Sequence, residues 1–234
     1  MPRKARLLIP NCPHHIVQRG HNRKAVFVTD DDYLYYLENL REWKKKLNVQ
    51  VYAWCLMTNH IHLVVEPGDD AATLSQLMKR LAGRQAALVN KMERRTGSLW
   101  EGRFKASPIQ RDSYLLACCR YVELNPVRAR MVSEPMDYMW SSYRVRVQED
   151  IDDWLDYDPC YLAIGRADFE RRERYARFVQ QGIEKSEQTL ITAAIQRNQL
   201  TGDQCFAEEI TQRTGLRIER RGRGRLRKAA PLSC

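Results

Sequence analysis

Several large classes of protein are excluded by what this 234-residue chain lacks. No apolar run approaches the ~18 residues of a membrane-spanning helix. The only apolar stretch near the start, Leu7 to Pro10, is too short for the core of a secretion signal. The expected location is therefore the cytoplasm, with no membrane partner. Seven cysteines are present, but the number is odd, no CxxC occurs, and Cys118 and Cys119 are adjacent. Reduced thiols fit this better than a disulfide framework. No Cys/His set has the spacing of a zinc finger. There is no GxxxxGK[ST] phosphate loop, so nothing points to a nucleoside triphosphate. No internal repeat is evident.

Positive charge is in excess. The chain carries 39 Lys and Arg against 29 Asp and Glu, a net +10. Residues 1–150 hold 24 basic and 16 acidic side chains, and residues 151–234 hold 15 and 13. The near balance of the second part hides a split. Residues 217–228, RIERRGRGRLRK, set seven basic side chains against Glu219. A tail this dense suits phosphates, with an affinity that falls as salt rises. A solvated end would have the same composition. With the whole chain basic, nucleic acid is the favoured partner, and a nucleoid-associated protein is expected.

The pattern of apolar residues orders the elements. A strand is expected within Cys12 to Gly20, followed by the basic loop HNRKAV. Asp30 to Leu47 reads as a helix, with acids at its start and Lys44 to Lys46 at its end. Val49 to Met57 and His60 to Glu66 read as two strands joined by a turn at Thr58-Asn59. A long amphipathic helix is expected over Ala71 to Arg95, and a strand within Ser98 to Ile109. Asp112 is the expected N-cap of a further helix, which Asn125-Pro126 ends or kinks. This β-α-β-β-α-β-α order gives an α+β fold, a ferredoxin-like sandwich with an antiparallel sheet. Composition turns acidic near residue 150. The expected units are 1–148, a mainly helical region 149–216, and a basic tail 217–234.

The candidate chemistry lies in CLMTNHIHLVVEPG. On a strand, His60 and His62 share one face, while Ile61 and Leu63 face the core. Two imidazoles with Cα atoms ~7 Å apart can converge on one divalent ion. Ordinary half-buried strand histidines would look the same. A second set lies in RDSYLLACCRYVELNPVRARMV, where Tyr121 and Asn125 are four apart on one helix face and Glu123 points elsewhere. A tyrosine hydroxyl, with a pKa near 10, attacks a phosphate only if something polarises that phosphate. The Asn125 carbonyl beside two imidazoles would make a site for Mg²⁺ or Mn²⁺ with room for substrate oxygens. On helical spacing alone, a packed aromatic with its hydroxyl hydrogen-bonded is the simpler account of Tyr121.

HIVQRGHNRKAVF, CLMTNHIHLVV, SLWEGRFKASPI and YLLACCRYVELNPVRARMV, in that order and spacing, resemble the single-tyrosine HUH transposases, in particular the REP-associated tyrosine transposases. The resemblance spans about residues 5–145. It implies a Mg²⁺- or Mn²⁺-dependent cut in single-stranded DNA. The family's nucleophile falls on Tyr121, which would take the 5′-phosphate and free a 3′-OH. Its metal pair falls on His60 and His62, with Asn125 at the position of a further ligand. It also implies hairpins from repetitive extragenic palindromes as substrate, and a monomer or homodimer. Arg19, Arg23 and Lys24 near the first strand, and Arg103 and Lys105 alternating on a strand, are candidate backbone contacts. In the tail, RRGRGRLRK resembles an AT-hook in which Gly224 replaces the usual proline, so Arg221, Arg223 and Arg225 are further candidates. Trp100 and Phe104 could stack bases, with core packing the favoured account of either alone. Two rival readings stand beside this one: a noncatalytic hairpin-DNA binder, and a metal-dependent phosphohydrolase that uses water.

Overall fold

The computed structural model describes residues 6–148 and 154–216. The expected unit boundary at 148/149 and the basic tail, with Arg221, Arg223 and Arg225, lie outside the described residues or at their edge. The elements run β1 (His14–Arg19), α1 (Asp30–Lys46), β2 (Val49–Met57), β3 (His60–Pro67), α2 (Ala72–Met92), β4 (Lys105–Pro108), α3 (Arg111–Glu123), α4 (Asn125–Arg128), α5 (Tyr143–Val147), α6 (Pro159–Leu162), α7 (Asp168–Gln180), α8 (Lys185–Arg197) and α9 (Gln204–Thr214). No described helix is long and apolar enough to cross a membrane.

The four strands form one antiparallel sheet in the order β2-β3-β1-β4. This is the ferredoxin-like arrangement, with β3 inserted between the strands that α1 connects. Strand alternation divides the sheet into two faces. Ile16, Trp54, Leu56, Ile61, Leu63, Val65 and Ala106 form one buried cluster with Tyr36 and Leu40 of α1 and Leu74, Leu77 and Leu81 of α2. On the other face, Ala53, Cys55, Met57 and Val64 pack against Leu115, Cys118, Tyr121 and Val122 of α3. The period-two pattern of β3 therefore sends Ile61, Leu63 and Val65 to one helical layer, and His60, His62 and Val64 to the other. The six described cysteines without a disulfide, Cys12, Cys55, Cys118, Cys119, Cys160 and Cys205, accord with reduced thiols.

Two local expectations are corrected. Asp112 lies in the first turn of α3, and Gln110 holds the cap position. The last strand is only Lys105–Pro108, so Arg103 precedes it and does not alternate with Lys105 on it. Trp100 and Phe104 are core residues, each 7% exposed, and the Trp100 indole donates to the Ala82 carbonyl at 3.0 Å. The helix bearing Tyr121 ends at Glu123 and resumes as α4, with Pro126 in its first turn where no N–H is needed.

The C-terminal helices contribute to the face opposite α1 and α2. Ser107 on β4 donates to the Gln199 carbonyl at 2.6 Å, and the Thr201 amide donates to the Pro108 carbonyl at 2.8 Å. Ala106 donates its amide to the Asn198 side chain at 3.1 Å, where a left-handed Asn198 ends α8. These bonds seat α8 over β1 and β4, beside α3.

Candidate active site

The hairpin β2–β3 and the strand β1 fix the imidazoles. Val17 pairs with His62 and Arg19 with His60, so all four side chains share the face that α3 covers. The turn at Thr58-Asn59 is held from the side by the loop after β1. Gly20 donates to the Asn59 carbonyl and Val26 to the Thr58 carbonyl, both at 2.8 Å. A Cβ at residue 20 would lie 2.3 Å from the Lys24 carbonyl oxygen, so this approach requires glycine.

His60 and His62 have ring centroids 5.0 Å apart. Each is oriented differently. His60 Nδ1 lies 2.6 Å from the Asn59 amide oxygen, and the Asn59 amide nitrogen donates to the Arg23 carbonyl at 3.1 Å. The amide oxygen can only accept, so His60 carries its proton on Nδ1 and presents a lone pair at Nε2. His62 Nδ1 instead meets His15 Nε2 at 2.9 Å. Burial, with Arg19 nearby, pushes His60 down to about 4. Burial, then the neighbouring imidazoles and Arg128, hold His62 well below the usual range. Both rings are therefore neutral at neutral pH, the form a metal requires.

Tyr121 stands over this pair. Its ring centroid is 6.1 Å from that of His62 and 5.6 Å from that of His15, both edge-on. The Arg128 guanidinium lies 4.4 Å from the Tyr121 ring centroid. The Tyr121 hydroxyl is 3.2 Å from the Thr192 hydroxyl of α8. Asn125 donates its amide nitrogen back to the carbonyls of Tyr121 and Val122, at 2.9 and 3.2 Å, which leaves its amide oxygen free to accept or ligate.

His60, His62, Tyr121, Asn125 and Thr192 line one cavity of about 690 Å³, and Arg19, Arg103 and Lys105 line it too. Lys105 also donates to the Gln196 carbonyl of α8 at 3.1 Å. Arg23 and Lys24 are exposed on the loop beside the hairpin turn and do not line the cavity. The expected His60, His62, Tyr121 and Asn125 are thus brought together. Among the described residues no three His, Cys, Asp or Glu side chains converge as a metal site. The donors that do fit a hard divalent ion are two neutral imidazoles and one amide oxygen, a set that leaves positions open for substrate. Sequence reasoning missed Asn59, His15, Arg128 and Thr192. Only Asn59, adjacent to His60, and Arg128, one turn past Tyr121, left a local signal.

The profile of the family described as IS200-like transposases matches residues 9–125. A search of curated proteins found no match. Among solved structures, the chain is similar to a REP-associated tyrosine transposase bound to a REP hairpin. The TM-score is 0.54 at 19% identity, covering 63% of this chain and 86% of that one. At that identity the likeness concerns the fold. A structure described as a transposase candidate from Deinococcus radiodurans aligns at a TM-score of 0.35 and 17% identity, over 56% of this chain and 92% of that one.

Proposed function

We propose, from the premise that the chain belongs to the IS200-like transposase family, that it cuts single-stranded DNA at hairpin-forming palindromic repeats through a covalent phosphotyrosine. The Tyr121 oxygen forms a bond to the scissile phosphorus, and the bond from phosphorus to the 3′-oxygen breaks. The electron pair leaves on that oxygen, which is protonated to a free 3′-OH, while the phenolic proton passes to solvent. The 5′-phosphate stays on Tyr121. The new ester keeps the energy of the old one, so the 3′-OH can return and reseal or join strands without a nucleotide cofactor.

The observation that carries the reading is the single cavity shared by Tyr121, His60, His62 and Asn125. Tyr121 is the nucleophile, and the Thr192 hydroxyl orients its oxygen. His60, His62 and the Asn125 amide oxygen would hold Mg²⁺ or Mn²⁺, which when bound would polarise the scissile phosphoryl group. Arg19, Arg103 and Lys105 hold the backbone phosphates, and Arg23 and Lys24 extend that track past the hairpin turn. In this reading residues 1–148 are the cutting unit, 149–216 close over it, and the basic tail clamps DNA through Arg221, Arg223 and Arg225. The protein works at chromosomal DNA, as a monomer or homodimer.

One observation favours the noncatalytic hairpin binder. Tyr121 is only 4% exposed, with α8 against its hydroxyl. The two readings separate on a denaturing gel, using the protein, Mn²⁺ and single-stranded oligonucleotides that carry palindromic repeats of the source genome. The expected result is a protein–DNA adduct that Tyr121→Phe abolishes and Tyr114→Phe retains. Tight hairpin binding without any adduct would replace this proposal with the binder. Strand cutting that survives Tyr121→Phe would make water the nucleophile. Replacing His60 and His62 with alanine is expected to end cutting and leave hairpin binding largely in place.

A further inference from the structure

His14 and His15 are adjacent and both fully buried, yet only one is internally satisfied. His14 Nδ1 donates to the Cys12 carbonyl at 2.7 Å, and His14 Nε2 accepts from the Ile9 amide at 3.1 Å. Both nitrogens are used, and the ring fixes the start of β1. His15 faces the other side of the sheet. Its Nε2 meets His62 Nδ1 at 2.9 Å, with the rings stacked at 5.2 Å and 21°. Its Nδ1 is buried with no hydrogen-bond partner.

One proton lies between His15 and His62, and its position fixes both rings. If His15 donates from Nε2, His62 accepts at Nδ1 and holds its own proton on Nε2, the nitrogen left for a ligand. The orphan on His15 is then a lone pair. If His62 donates from Nδ1, its Nε2 is free, and the orphan on His15 becomes a buried N–H. Unpaired buried N–H groups are rarer than under-used acceptors. The first arrangement therefore prevails while nothing binds at Nε2. His60 has no such choice, because the Asn59 amide oxygen keeps its proton on Nδ1.

We infer that His15 is a positioning residue that sets the tautomer of His62: without metal it keeps the ligand nitrogen of His62 protonated, and metal binding moves the pair to the opposite tautomer, in which the Nε2 proton of His62 leaves to solvent, the shared proton passes to His62 Nδ1, and His15 takes up one proton from solvent at Nδ1. His60 is the ligand oriented in advance, and His62 is the ligand that must switch. This deepens the proposed metal assignment and rests on it only for the second half of the switch.

The test is the ¹⁵N imidazole spectrum of the full-length protein, with and without Mg²⁺, together with Mn²⁺ affinity measured by electron paramagnetic resonance. Wild type is expected to show His62 protonated on Nε2 when free and on Nδ1 with Mg²⁺. His15→Gln offers an amide oxygen that can accept from His62 Nδ1, and Mn²⁺ affinity is expected to stay within about threefold of wild type. His15→Phe fills the space but offers no acceptor, and Mn²⁺ affinity is expected to fall about tenfold or more. Thermal melts of both variants check folding, and the Gln variant separates positioning from simple packing. His62 protonated on Nδ1 in the free wild type would overturn the inference. So would equal Mn²⁺ affinity in wild type and a folded His15→Phe. Failure of Mn²⁺ to bind wild type would instead overturn the metal assignment, and the metal-free spectra would still decide whether His15 sets His62.

Discussion

The helix α3 separates two buried polar clusters of opposite character. On one side Tyr121 meets His62, His15 and Thr192 through neutral groups, beside an open cavity, and one nitrogen is left without a partner. On the other side, two residues along, Glu123 is sealed. Its carboxylate accepts from the Ser142 hydroxyl at 2.6 Å and the Tyr175 hydroxyl at 2.7 Å, and faces Arg146 at 3.5 Å. Arg146 also donates to the Tyr52 carbonyl and lies 4.7 Å from the ring centroids of both Tyr161 and Tyr175. Glu123 and Arg146 are 0% and 2% exposed. Here the charges are matched and every carboxylate oxygen is used. The sealed side ties α3 to the sheet, α5 and α7. The open side keeps groups that can still change partner, which is what a reacting site needs.

That contrast predicts which substitutions damage chemistry and which damage stability. The largest effect belongs to Tyr121→Phe, expected to lower adduct formation by roughly three orders of magnitude or more, while urea denaturation shifts by about 1 kcal/mol or less. Glu123→Ala should do the reverse. It strips a buried guanidinium of its partner, so a loss of about 3–5 kcal/mol in unfolding free energy is expected. A shift below about 1 kcal/mol would show that this pair does not hold α3.

Acid should act on the imidazoles. Burial lowers His14 to about 4 and His15 to about 3, both well below the unfolded value of 6.5. A base depressed in the folded state contributes stability above its unfolded pKa. That stability is lost as pH falls through the window from 6.5 to 3–4, because the unfolded chain binds the proton first. The expected slope is about 1.4 kcal/mol per pH unit for each such imidazole. Denaturation midpoints that stay level between pH 6.5 and 4.5 would contradict the burial of these rings. The smallest effect is expected from Thr192→Val, with about 0.5–1.5 kcal/mol lost from one hydrogen bond. Its adduct rate should fall severalfold if Thr192 orients the tyrosine, and stay unchanged if it only packs there.

Much of this was legible locally. Val49–Met57 and the Thr58-Asn59 turn follow from β-rich composition and a turn pair, and the strand period alone placed His60 and His62 on one face. Helical spacing put Tyr121 beside Asn125 and turned Glu123 away. Other features depended on distant partners. The role of His15 depends on a ring 47 positions away across the β1–β3 register. Thr192 reaches Tyr121 from 71 positions away, through a helix whose seat is set by backbone bonds to β4. The Asp112 cap failed because Gln110, two residues earlier, already starts the helix, and propensity does not override where the preceding strand ends.

Two tyrosines, Tyr114 and Tyr121, lie on α3, and trypsin separates them. Cleavage after Arg111, Arg120 and Arg128 places Tyr114 in residues 112–120 and Tyr121 in residues 121–128. Mass spectrometry of the digested, nuclease-trimmed adduct would therefore locate the phosphodiester. The account predicts a nucleotide on Tyr121 within YVELNPVR. A nucleotide on DSYLLACCR, or an unmodified YVELNPVR from a protein that has cut its DNA, would contradict it.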